Sequence, residues 1–139
     1  MSRFYLALVY GGVIVLAALI LLSPISVRYS PARDSGQWNM TPPETRNWYE
    51  SLKQPDTGIS CCGEADSYFC DEHAEGTQVY CIIDDDRNDD ELKRNHIDNG
   101  TRIDIPPNKI NHDPNIVGHG VVFLSRNQFV WCFVGIGGV

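Results

Sequence analysis

Phe4 to Leu22 (FYLALVYGGVIVLAALILL) is an unbroken run of 19 apolar residues without a charge. Rising 1.5 Å per residue as a helix, about 20 such residues cross the ~30 Å hydrocarbon core of a bilayer. A helix that is apolar all round needs lipid or protein on every side, and the remainder of a 139-residue chain is too short to wrap it. Residues 1–22 therefore read as a transmembrane anchor or uncleaved signal, with a cleaved signal peptide as the alternative. The apolar core of a signal peptide usually spans about 7–15 residues and ends in a small-x-small cleavage site. Here Pro24 spoils both nearby sites, because it stands three positions before a cut after Ser26 and directly after a cut behind Ser23. Gly11, Gly12, Ala17 and Ala18 are small enough to let a partner helix approach closely.

Residues 23–40 (SPISVRYSPARDSGQWNM) are rich in Ser, Pro and Gly and read as a juxtamembrane linker. Residues 41–139 form one small Cys-containing domain. From residue 29 onward, nine basic residues face 18 acidic ones, a net charge of −9. That charge repels nucleic acid and anionic headgroups, and so argues against phosphate binding. It suits a divalent cation or a basic partner. The flanking charges, Arg3 on one side and Arg28 and Arg33 on the other, barely favour either orientation. Cysteine usage places the domain in the periplasm, making the chain a single-pass inner-membrane protein. Its expected partners are the lipid bilayer and a membrane protein.

The expected fold class is α+β: a single N-terminal transmembrane helix, then a small, mainly antiparallel β domain with one packed helix. Thr41-Pro42-Pro43-Glu44 predicts a helix start, with Thr41 as N-cap, Pro42 at the first helical position and Glu44 at the third, a capping box. Trp48 and Leu52 then share a face, and the helix stops before Pro55. Gln78 to Ile83 and Thr101 to Ile105 read as strands. Val121 to Leu124 and Phe129 to Val134 read as a hairpin around Ser125–Gln128. Asp84 to Gly100 reads as a long acidic loop.

Five cysteines, Cys61, Cys62, Cys70, Cys81 and Cys132, are disulfide candidates, and the odd number leaves one thiol over. Spacing does not set the pairing. A sharper alternative is a metal or thiol-redox site formed by Cys61, Cys62, Asp66 and His119. Zinc, however, usually draws on Cys-x2–4-Cys pairs, and adjacent cysteines rarely point at one ion. Cys61 or Cys62 beside His119 would suit thiol catalysis, but no third residue is evident to orient the imidazole. Asp84, Asp86, Asn88 and Asp90 fall at positions 1, 3, 5 and 7 of a calcium loop. Position 6 is then Asp89 instead of Gly and position 12 is Asn95 instead of Glu, so a solvated acidic loop is the default.

The stretch Trp48-Tyr49…Leu52…Gln54-Pro55-Asp56-Thr57-Gly58-Ile59-Ser60-Cys61-Cys62-Gly63-Glu64-Ala65-Asp66, with Gly118-His119-Gly120-Val121-Val122-Phe123, resembles a group of small uncharacterised exported proteins of alphaproteobacteria. In those proteins a W(Y/F)-x2-L-x-QP-x-TG-x-SCC segment follows a signal sequence. The resemblance covers roughly residues 45–139. It implies export and a bacterial source and carries no activity. The longer apolar span here departs from a simple secreted member. The function expected is a membrane-anchored periplasmic accessory or interaction module, such as a small subunit of a larger membrane complex, with metal binding or thiol redox chemistry through the Cys61-Cys62 segment as the alternative. If the anchor is retained, the full chain will stay with membranes through an alkaline carbonate wash, and deletion of residues 2–22 will release it to the soluble fraction.

Overall fold

The structure, a computed structural model, describes residues 38–137 apart from Glu64. The apolar run and its small residues Gly11, Gly12, Ala17 and Ala18 lie outside the described residues. Among the described residues no helix is long and apolar enough to cross a membrane.

The domain is α+β. After a turn at Trp38–Thr41, helix α1 runs from Pro43 to Ser51. Strand β1 is Asp66–Glu75 and β2 is Gln78–Ile83, followed by a single helical turn, α2, at Asp89–Leu92. Then come β3 (Arg102–Ile105), a 3-10 turn (Pro107–Lys109), β4 (Ile110–Asn111), β5 (Gly120–Leu124) and β6 (Val130–Val134). The six strands form one sheet in the order β3-β2-β1-β5-β6-β4, antiparallel except for the β4–β6 pair.

Two local expectations change. The helix begins at Pro43, and no side chain caps it, so the Thr41–Glu44 capping box does not form. Thr41 is instead drawn into the preceding turn, where its N–H donates to the Trp38 carbonyl at 3.0 Å. The larger change is β1, a segment in which the sequence reading places no strand. It is the longest strand and lies between β2 and β5. Its hairpin with β2 turns through Gly76-Thr77, with Glu75 opposite Gln78. Gly76 takes φ +64°, a conformation that favours glycine at this turn position.

Period-2 alternation gives the sheet two apolar faces. Tyr68, Cys70, Cys81, Ile83, Ile103, Ile105, Val122, Leu124 and Phe133 belong to one core, which Ile97 helps to close. Val121, Phe123, Cys132 and Val134 face the other way, under Tyr49, Leu52 and Cys61. All five residues of β5 are buried. Between β5 and β6 a register irregularity sets Phe123 opposite Cys132 and Leu124 opposite Val130, leaving Trp131 as an extra residue in the ladder.

The acidic segment 84–100 is tied down by one carboxylate. Asp85 has a side chain only 1% exposed and accepts from Arg87 Nη2 and Arg94 Nη1, each at 2.7 Å. It also takes the Phe69 backbone N–H at 2.9 Å, and both arginines donate to the Ser67 carbonyl. Burial alone would raise the Asp85 pKa. The hydrogen bonds from Arg87, Arg94 and Phe69 outweigh it and hold the carboxyl well below the usual carboxylate range. Asp85→Ala would leave Arg94, 3% exposed, without its main partner. The expected loss is about 3–5 kcal/mol in urea unfolding at pH 7. Because the folded pKa is depressed, the carboxylate's contribution is present above the unfolded value near 3.9 and fades as pH falls below it. The gap between Asp85→Ala and the parent should therefore narrow below about pH 4.

Candidate functional site

The segment from Trp48 to Cys62 is tied to the sheet at several points, and its residues have legible roles. Tyr49 and Leu52 are buried against β5 and β6, with Trp48 packed at the margin. Trp48 Nε1 donates to the Pro114 carbonyl at 2.7 Å, which ties α1 to the loop before β5. Beyond the helix the chain makes a small loop, with Lys53 and Ser60 bridged antiparallel. Gln54, 3% exposed, donates Nε2 to the Trp131 carbonyl at 2.9 Å, and the Thr57 hydroxyl donates back to Gln54 Oε1. Gly58 sits at φ +68°, a conformation that side chains other than glycine rarely adopt. Trp131 Nε1 donates to the Ser60 carbonyl at 3.2 Å. Cys61 is bonded to Cys132, 71 residues away, across a Cα–Cα distance of 5.7 Å.

The neighbouring cysteine is different. Cys62 is free, and its thiol donates to the Tyr49 carbonyl at 3.2 Å. Burial, with a smaller contribution from Glu50, pushes its pKa up to about 12. A thiol so rarely ionised is a poor nucleophile and a poor metal ligand.

The residues proposed for a metal are not gathered by the fold. Cys61 is committed to Cys132, Cys62 to the Tyr49 carbonyl, and Asp66 opens β1 opposite Leu124. His119 stacks on Phe69 with ring centroids 4.9 Å apart. The same Phe69 ring carries the Arg87 guanidinium 3.6 Å from its centroid. Cys62 and His119 each have another contact, the Tyr49 carbonyl and the Phe69 ring.

The calcium register is also not assembled. Asn88 Oδ1 accepts from the N–H groups of Asp90 and Glu91 as the cap of α2, and Asp90 lies within that turn. Asp86 accepts from Asn99, and Asp84 is exposed. Asp85, which the register skips, is the carboxylate turned inward. Among the described residues no group of three or more His, Cys, Asp and Glu is placed to hold a metal ion. His96 is 72% exposed, and its hydrogen bonds to the Asp89 and Asp98 carboxylates, which favour the protonated ring, raise its pKa.

What the arrangement does present is a fixed apolar corner. Phe129, 54% exposed, packs edge-on against Trp131 with centroids 6.3 Å apart, and Lys109 Nζ lies 5.7 Å from the Phe129 ring. Ile59, 52% exposed, adjoins Ser60, whose carbonyl holds the Trp131 indole. The sequence signal for this corner was the Ile59-Ser60-Cys61 stretch together with the Phe129-Val130-Trp131-Cys132 strand. What it lacked was the pairing of Cys61 with Cys132.

No family model matches the chain, and neither a curated protein nor a solved structure matches it.

If the Cys61–Cys132 bond fixes this segment, its removal should loosen the whole corner. Replacing both cysteines by alanine is expected to cost about 2–5 kcal/mol in chemical unfolding. Proteolysis under native conditions should then cut first between Lys53 and Cys61.

Proposed function

We propose that the chain is a membrane-anchored periplasmic accessory domain that docks a membrane-protein partner through the apolar corner at Ile59, Trp131 and Phe129. The observation that carries this reading is that exposed Ile59 and Phe129 flank Trp131, where the loop at residues 54–61 is joined to β6 by a disulfide and two hydrogen bonds. Large apolar groups on a pre-ordered surface lose little conformational freedom on binding, and such aromatic anchors commonly dominate an interface. The apolar run at residues 4–22 supports a partner in the same membrane, since anchoring restricts both proteins to one plane. The partner surface suited to this corner is an apolar segment of an extracytoplasmic loop, because the nearby Lys109 is buried and already paired with Asp56 at 2.9 Å.

Extraction of the tagged full chain in mild detergent, followed by native mass measurement, tests the proposal. A defined co-purifying membrane protein is expected. Ile59→Asp combined with Phe129→Asp should lower its recovery about tenfold or more while leaving the thermal midpoint close to the parent's. A chain that always runs as a free monomer would overturn the reading, as would a partner retained in full by the double variant.

A further inference from the structure

Two of the three free thiols meet inside the sheet. Cys70 lies opposite Ile83 and Cys81 opposite Glu72, so the two cysteines are diagonal neighbours on the paired strands β1 and β2. Both belong to the same core, at 2% and 0% exposure. The neighbouring Cys81 thiol and burial push the Cys70 pKa far above the ordinary thiol range. Cys62, by contrast, spends its thiol on a backbone carbonyl.

We propose that Cys70 and Cys81 form a second disulfide, linking β1 to β2, by exchange with a small-molecule or protein disulfide oxidant. One cysteine thiolate attacks the oxidant's S–S bond, making a mixed disulfide and releasing one oxidant thiolate. The other cysteine thiolate then attacks the mixed disulfide at the cysteine sulfur. The Cys70–Cys81 bond forms, and the second oxidant thiolate leaves. The cysteine pair is oxidised by two electrons, the oxidant is reduced by two, and the two thiol protons end on the released thiolates. Exchange needs a thiolate and access for the oxidant. Burial denies both, so the bond is made before the strands close over the pair. The folded, reduced pair resists the same oxidant. Cys62 is left as the odd thiol.

The test unfolds the full chain reduced, refolds it in mild detergent with oxidised and reduced glutathione, and then counts thiols with a maleimide under denaturing conditions. One reactive thiol is expected, with a mass four hydrogens below that of the reduced chain and a Cys70–Cys81 cross-linked peptide after digestion. Cys62→Ser should leave no reactive thiol, and Cys70→Ser should leave two. Three reactive thiols in the parent, or a cross-link from Cys62 to either partner, would overturn the proposal. A parallel measurement traps thiols with acid in cells making the full chain. One thiol there supports the pair and three overturn it. Five would show that the domain faces a reducing compartment, which contradicts the periplasmic reading and leaves the glutathione result to decide the pairing.

Discussion

The whole domain depends on burying β5 on both faces. An antiparallel sheet can leave one face to water, and its strands then alternate apolar and polar residues. Gly120-Val121-Val122-Phe123-Leu124 does not alternate, and both of its sides need cover. On one side the sheet packs against its own neighbours, with Ile97 from the acidic segment helping to close the core. On the other the cover is α1 and the short segment that follows it. A nine-residue helix without a side-chain cap has little stability of its own. It stays because Tyr49 and Leu52 are buried beneath it and because the chain beyond is bonded to β6.

How legible this was in the sequence varies element by element. Gln78–Ile83 emerges with the expected bounds, and the β5–β6 hairpin is off by a residue at the start of each strand. Both announce themselves by dense β-branched and aromatic residues beside polar turns. Strand β1 was hidden because its outward positions are chemistry-rich. Asp71, His73 and Glu75 face solvent, while Tyr68 and Cys70 supply the buried positions. The charge and polarity of the first set mask the alternation. The Gly76-Thr77 turn was the overlooked signal.

The acidic segment failed to read correctly for a different reason. Sequence shows seven acidic residues from Asp84 to Asp98 and suggests a solvated loop or a cation site. The structure distinguishes one of them. Asp85 is neutralised by Arg87, two residues on, and by Arg94, nine on, and the three converge with the Ser67 carbonyl on a strand far away in sequence. Composition sees the sum of the charges, whereas the fold depends on which one turns inward. The cysteines behave alike. Five equivalent candidates become one bonded pair, two thiols that are diagonal neighbours in the core and one thiol on a carbonyl. Only the strand register separates those roles.

The irregularity at Trp131 has a mechanical meaning. In a regular strand Trp131 and Cys132 would point to opposite sides of the sheet. The extra residue lets both contribute to the same core, where one grips Ser60 through its indole and the other is bonded to Cys61. A segment attached at one point can pivot about that point. Attached at two adjacent points, it transmits torque, so a force applied to the Ile59 corner would be passed to β6 and through it to the centre of the sheet.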